Sequence, residues 1–284
     1  MDFYNLTDIQ QNVLIGSIIG DGEITKLYKG SRSKNNSYRE HFGIKQIDYR
    51  KWKMSYIPDL LYITPKSNTL RSKSLPLFTE LYPHFYNPSG EKVIPIELLS
   101  KCTLLHFLAI IYMDDGTLSI TSRINHNKKI IYLTPNVFLY LQNFQLDQLQ
   151  ILNNHIQKTF QIKFSINKRG DGYGHILRFT STDITYDFLK RISPITATCQ
   201  SMYYKTNWEW RLQQETEIYQ KKYPGYKVLS SNSDRNKNYT ETEIQKIVQL
   251  KLNGEKDRGI AECLNRSYWS IVYKLKELRK DGRL

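Results

Sequence analysis

Two short segments of this chain combine residue types that could do chemistry. Leu14-Ile15-Gly16-Ser17-Ile18-Ile19-Gly20-Asp21-Gly22 and Leu108-Ala109-Ile110-Ile111-Tyr112-Met113-Asp114-Asp115-Gly116 each end an apolar run with an acid directly before glycine. If the runs are helices, each acid sits at the C-terminal end, where the backbone dipole leaves partial negative charge. A carboxylate there is unfavourable without compensation. A bound divalent cation supplies it. One such Asp-Gly pair alone reads better as a turn after a buried helix, with glycine just past the helix end. Two copies, each opening a matching block of chain, favour a pair of acids gathered around cations.

The blocks that must position these acids repeat in a common order. In the first, a helix is predicted over residues 7–19, begun by Thr7 and Gln10 at capping-box spacing. Strands over 23–28 and 38–46 follow, then a helix over 48–62, a strand over 69–74 and a helix over 77–85. The second block runs helix 104–113, strands 117–123 and 137–142, and helix 146–160. A hairpin of 161–167 with 175–180, turning at Arg169-Gly170-Asp171-Gly172, and a helix over 182–192 complete it. Residues 230–238 hold no apolar side chain and read as a linker. Three short helices are predicted beyond it: Thr240 and Glu243 cap the first, Ile260, Ala261, Cys263 and Leu264 mark the second, and Ser267 caps the third.

Composition narrows the partners. The 284 residues carry 41 Lys+Arg against 27 Asp+Glu, a formal charge of +14, which points to a polyanion. The three cysteines are far apart with no Cys-x-x-Cys pair, which argues against a thiolate zinc site or a disulfide scaffold and fits a reducing compartment. No apolar run approaches the about 18 residues of a membrane span. The N-terminus lacks the basic start and apolar block of a signal peptide. An intracellular protein with no membrane partner is therefore expected, in a bacterial or phage-infected cytoplasm or an organellar matrix.

The paired motifs resemble those of the LAGLIDADG homing endonucleases, in the single-chain form with two motifs, across about residues 6–207. The resemblance implies an α+β fold: a duplicated αββαββα core with pseudo-twofold symmetry and saddle-shaped antiparallel sheets. A small all-α helix-turn-helix domain would follow. The implied divisions are a first half over 1–95, a second half over 96–225, a linker over 226–238 and the helical domain over 239–284. The two motif helices would pack side by side and hang their acids over the DNA minor groove. The metal-binding acids would then be Asp21 and Asp115, with the carbonyls of Gly20 and Asp114 as weaker ligands. Register with Asp21 selects Asp115 over Asp114. The first motif has the small residues Gly16 and Gly20 for a close helix contact, whereas the second departs with Ile110 and Asp114.

By the same resemblance, Lys92 and Lys205 are the basic residues that order the water network, and Gln46 and Gln142 stand behind them. The implied reaction is phosphodiester hydrolysis. Two or three Mg²⁺ ions favour loss of a proton from water and neutralise developing charge. Mn²⁺ would substitute and Ca²⁺ would not support chemistry. Lys92 reads equally as a surface lysine that touches phosphate.

The strands would lie in the major groove, with alternate side chains facing DNA. The candidate contacts are Thr25, Lys26, Tyr28, Arg39 and His41 in the first half, and Ser119, Thr121, Arg123, Lys168 and Arg178 in the second. The basic loop over 26–39 would clamp phosphates. The stretch from Arg258 to Lys274 looks like a helix-turn-helix module with an Ile-Ala-x-x-Leu-x-Arg-Ser core, directing Arg266, Tyr268, Trp269, Tyr273 and Lys274 to DNA. The alternative is a three-helix appendage that packs on the main domain.

The leading function is thus a monomeric, site-specific endonuclease that makes a staggered break in a long double-stranded DNA target. The other reading is an RNA maturase acting on its own intron RNA, or a non-catalytic DNA-binding regulator. No terminal nucleophile or His-Asn pair flanks the chain, so an intron-encoded or free-standing gene is expected rather than an intein.

Overall fold

A computed structural model describes residues 2–179, 181–230, 239–266 and 268–284. The expected linker over 231–238, the Ser267 cap and Thr180 at the end of the expected hairpin lie outside the described residues. The chain forms two compact units, Met1–Asn232 and Ser233–Leu284. Among the described residues no helix is long and apolar enough to cross a membrane.

The first unit opens with α1 (Asp8–Ile19), started by the capping box of Thr7 and Gln10. β1 (Glu23–Ile24), β2 (Tyr38–His41), α2 (Ile47–Tyr56), β3 (Leu61–Thr64), β4 (Thr69–Ser72) and α3 (Pro76–Phe85) follow. The order then repeats as α4 (Leu105–Asp115), β5 (Gly116–Asn125), β6 (Ile130–Leu139), α5 (Leu146–Phe160), β7 (Ser165–Lys168), β8 (His175–Arg178) and α6 (Thr182–Thr196). The first sheet has the spatial order β1-β2-β4-β3 and the second β5-β6-β8-β7, all antiparallel. Two sheets with the same strand order and the same flanking helices are the duplicated αββαββα core. Both halves share one continuous apolar core, from Phe3 to Met202.

α1 and α4 pack against each other at its centre. Both are apolar on every side (Val13, Leu14, Ile15, Ile18 and Ile19; Phe107, Leu108, Ile110 and Ile111), as a helix enclosed by protein must be. Asn12 fastens their starts: its amide donates to the Lys101 carbonyl at 2.9 Å and its oxygen accepts from the Leu104 backbone at 3.0 Å.

Several elements depart from the expectations. The spacing over 48–62 predicts one helix, but the chain turns at Pro58 and Leu61–Thr64 pairs with β4 instead. β1 ends at Ile24, so Thr25, Lys26 and Tyr28 lie in the following loop. β5 and β6 form a hairpin with ten paired positions, longer than the strands expected there. After α6 come α7 (Tyr203–Thr206), α8 (Trp208–Lys222) and β9 (Lys227–Ser230). β9 pairs in parallel with β6, which corrects the linker expected over 226–238 for those four residues.

The second unit contains α9 (Glu241–Leu252), α10 (Asp257–Cys263) and α11 (Tyr268–Lys280) around Ile244, Ile247, Ile260, Ile271, Leu275 and Leu278. Its first helix has the second expected capping box, Thr240 with Glu243. Cys102 and Cys199 are buried, Cys263 is exposed, and all three are free thiols.

Candidate active site

The α1–α4 contact explains why the two motifs differ. A Cβ on Gly16 would lie 3.2 Å from Ile110 Cβ, and one on Gly20 would lie 2.5 Å from Asp114 Oδ2. Ile110 and Asp114 therefore fill the space that the glycines leave. The second motif's larger residues complement the first motif's small ones. The glycine after each acid is required by space as well. A Cβ on Gly22 would stand 2.4 Å from the Tyr38 ring, and one on Gly116 2.3 Å from the Tyr112 carbonyl oxygen.

Asp21 follows the Gly20 cap of α1, whereas Asp115 is the last residue of α4. Both acids line one open cleft of about 440 Å³, together with Gly20, Gly22, Glu23, Arg39, Glu40, His41 and Lys92. The paired motifs thus bring Asp21 and Asp115 to one cleft.

The helix ends are served by lysines. Lys92 Nζ donates to the carbonyls of Gly20 and Gly22, each at 2.8 Å. Lys205 Nζ donates to the carbonyls of Met113 at 2.7 Å and Asp114 at 3.1 Å. Each ammonium therefore sits on the negative pole of its helix beside the acid. Burial pulls both lysines below their usual pKa, against the pull of Asp115, Asp114 and Asp21. The carbonyls of Gly20 and Asp114, expected as weak metal ligands, are the acceptors of these lysines.

Asp114 belongs to a buried ionic lattice that sequence reasoning missed. Lys53 Nζ lies 2.7 Å from its Oδ1 and 2.9 Å from its Oδ2, the Tyr49 hydroxyl donates to Oδ1 at 2.6 Å, and the Asp21 backbone N–H donates to Oδ2 at 3.3 Å. Lys53 also pairs with Glu40 at 2.9 Å. Arg50 Nη2 donates to Asp21 Oδ2 at 2.7 Å; its Nε is 2.7 Å from Glu40 Oε1 and its Nη1 is 3.6 Å from Asp114 Oδ1. Neither Nε nor Nη1 makes a hydrogen bond, so their contribution is charge.

Burial alone would raise the Asp114 pKa, but Lys53 and Arg50 hold it below the usual carboxylate range. Burial would likewise lower the Arg50 pKa, and Glu40 and Asp114 raise it above its ordinary value instead. Two acids and two bases in the interior balance each other. Removing one partner of such a buried set costs about 3–5 kcal/mol.

Oxygens of Asp21, Glu40 and Asp114 lie within 4.8 Å of one another. Arg50 and Lys53 stand among them, so that cluster already has its cations. Asp115 differs: among the described residues nothing donates a hydrogen bond to its carboxylate or pairs with it at contact distance. Burial, then Asp114 and Asp21, push its pKa up to about 7, against Lys92 and Lys205. This acid, facing an open cleft with Asp21 across from it, fits a hard, oxygen-preferring divalent cation.

The remaining expected site residues divide. Gln46 begins α2 without a side-chain hydrogen bond. Gln142 follows β6 and its Oε1 is buried without a partner. Neither lines the cleft.

On the first sheet, pairing puts Arg39, His41, Arg71 and Tyr62 on the face away from the core; Arg71 was not expected. Arg39 is paired with Glu23, and His41 Nδ1 is 3.2 Å from the Thr69 hydroxyl. Lys26 and Tyr28 are exposed in the loop, and the Thr25 hydroxyl meets Ser37 at 3.1 Å. On the second sheet, Ser119, Thr121 and Arg123 share one face with Asn136, Thr134 and Tyr132 opposite them. Arg178 joins that face through its pairing with Phe138. Lys168 pairs with His175, next to the Leu177 position, and so belongs to the opposite face.

In the second unit, Arg266 grips Glu243 through Nη2 at 2.9 Å and 3.0 Å and stacks 4.6 Å from the Tyr239 ring. Lys274 lies over Tyr239 and pairs with the exposed Glu277 at 2.7 Å. Tyr268, Trp269 and Tyr273 are exposed, Trp269 by 65% and Tyr273 by 68%, and form a row of rings 5.3 Å and 6.4 Å apart.

Known proteins resemble this chain in sequence and fold. The model of the LAGLIDADG DNA endonuclease family matches residues 11–186. "Probable intron-encoded endonuclease 1" of Wickerhamomyces canadensis is 28% identical over 183 residues, 57% of this chain and 72% of that protein. "Protein RecA" of Mycolicibacterium flavescens is 32% identical over 125 residues, 42% of this chain but only 29% of that protein. The fold is similar to the homing endonuclease I-WcaI bound to its DNA recognition sequence, with a TM-score of 0.51 at 21% identity, covering 71% of this chain and 87% of that one.

Proposed function

This chain belongs to the LAGLIDADG DNA endonuclease family, and we propose that it is a site-specific endonuclease that hydrolyses one phosphodiester in each strand of a long double-stranded DNA target. The observation that carries the reading is the meeting of Asp21 and Asp115, from two packed motif helices, in one cleft. Asp21 and Asp115 would hold divalent cations, with Mg²⁺ as the working ion, Mn²⁺ as a substitute and Ca²⁺ as a non-catalytic occupant. Such an ion, when bound, withdraws charge from the scissile phosphate and makes an attacking water more acidic.

The chain's own residues do the rest. Lys92 and Lys205 hold the two acid-bearing turns by their carbonyls and keep positive charge beside a phosphate in the cleft. The Arg50–Lys53–Glu40–Asp114 lattice fixes the turns from beneath. The outward faces of the two sheets carry Arg39, His41 and Arg71 on one side and Ser119, Thr121, Arg123 and Arg178 on the other, donors and acceptors suited to base edges and phosphates. Lys26 and Tyr28 in the basic loop, and Tyr268, Trp269 and Tyr273 in the second unit, would extend that contact. A net charge of +14 fits a DNA partner.

The test is cleavage of a plasmid library of random inserts with Mg²⁺ against the same reaction with EDTA. Linear product from one recurring sequence, in Mg²⁺ alone, is expected. Tight DNA binding with no cut in any divalent ion would leave only a binding protein.

A further inference from the structure

The two cleft acids are not equivalent, and Arg50 makes the difference. Its guanidinium, 1% exposed, donates to Asp21 at 2.7 Å and reaches Asp114 at 3.6 Å. Asp21 therefore has a resident positive group on one oxygen, while Asp115 has none in contact among the described residues. Among the described residues the second half offers no counterpart. Its matching helix, α5, buries Leu149, Leu152, Asn153 and Ile156. The Asn153 amide is taken up by the Phe164 backbone at 2.8 Å and 3.0 Å. Lys92 and Lys205 act on both acids from the carbonyls of their helix ends, so contact with Arg50 is what sets Asp21 apart. A divalent ion at Asp21 thus binds against a fixed positive charge one carboxylate away. An ion at Asp115 meets an acid whose charge no contacting group among the described residues neutralises, and at Asp21 the like charges of ion and guanidinium repel.

We propose that Arg50 is a positioning residue that holds Asp21 and weakens its cation site, so that the half-sites fill in order, Asp115 before Asp21, and the two DNA strands are nicked in the same order. The nicking order rests on the endonuclease reading; the filling order does not.

Mn²⁺ titration of the full chain without DNA, followed by electron paramagnetic resonance, reads the filling. Two sites differing by about tenfold or more in affinity are expected. The tighter one should vanish in Asp115→Asn and persist in Asp21→Asn. Arg50→Lys keeps a positive charge beside Glu40 and Asp114 but shortens the reach to Asp21, and should bring the two affinities together. Two equal sites, one ion lost equally in both Asn variants, or loss of the tighter site in Asp21→Asn would each overturn the proposal. Should Arg50→Lys not fold, as judged by its melting curve, the two Asn variants decide alone.

On a supercoiled plasmid carrying the target, limiting Mg²⁺ should accumulate circles nicked in one predominant strand, and Arg50→Lys should bring the strand ratio toward one. Random strand choice by the wild type would overturn the nicking order. Ordered Mn²⁺ filling with no cutting under any condition would uphold the filling order and reject the endonuclease reading.

Discussion

Gly20 and Asp114 face each other across the central helix pair, so closely that a Cβ on the glycine would stand 2.5 Å from the aspartate's Oδ2. Asp114 has no room to retreat, since Lys53 and Tyr49 hold it from the other side. Gly20→Ala should therefore cost about 1–3 kcal/mol by overpacking, measured by urea unfolding. Gly16→Ala, whose nearest contacts are at 3.2 Å, should cost less. Equal losses at the two positions would show that the Asp114 contact is not what sets the spacing.

Asp21→Asn and Asp115→Asn should each slow double-strand cleavage by at least about 100-fold, about 2.7 kcal/mol of barrier. DNA affinity should stay within a few-fold, because neither acid contributes attraction to a polyanion. Unchanged cutting by either variant would remove that acid from the site.

Asp115 titrates near 3.8 when unfolded and near 7 in the folded chain. The folded state therefore binds the proton more tightly, and this contribution to stability is present below the unfolded value and lost as pH rises through about 7. Asp114 behaves oppositely: its folded value lies below the ordinary one, so its contribution is lost only in more acidic solution. In EDTA, the wild-type Tm should fall relative to that of Asp115→Asn as pH rises from about 5 to about 8. Parallel melting profiles for the two proteins would mean that Asp115 is ionised throughout.

Lys92→Met and Lys205→Met each leave two carbonyls at a helix end without their donor. Each should lose about 1–3 kcal/mol of stability and should lower the single-turnover rate with little change in affinity. A change in affinity alone, with the rate intact, would reduce the lysine to a phosphate contact.

Deleting residues 231–284 should weaken target binding by about tenfold or more, since a tethered second contact raises the effective concentration of the first. The rate at saturating enzyme should be unchanged. Trp269→Ala and Tyr273→Ala, in the exposed ring row, should reproduce part of the loss. A truncated protein that binds normally would assign the second unit a role away from DNA.

Much of the site could be read from the chain because its signals are local. Thr7 with Gln10 marks the start of α1, Gly20 and Gly22 mark its end, and Asp21 lies between them. α4 has neither the capping box nor a glycine before its acid, and its mark is the apolar run that ends in Asp115-Gly116. Arg50 and Lys53 leave no such trace, since a charged helical residue ordinarily reads as solvent-facing. Their burial depends on Glu40 and Asp114, which stand 13 and 61 residues from Lys53. The partner of Arg266 is hidden for the same reason: its position in the Leu-x-Arg-Ser pattern suggests a recognition contact, and Glu243, which it grips, lies 23 residues away in sequence. β3 was hidden by helical spacing that runs straight across the Pro58 turn. β9 was hidden by its polar flank, since a short edge strand needs only β6 as partner.

The buried lattice also crosses the line of duplication. Tyr49, Arg50, Lys53 and Glu40 come from the first repeat and Asp114 from the second, all converging within the interior. A chimera joining this first repeat to a foreign second one inherits two entombed cations and only one of their two interior acids, unless the graft carries a carboxylate at the position of Asp114. The seam between the repeats is therefore not a free cutting point for modular redesign: retargeting either side of this protein has to conserve that single acid with its distant grip.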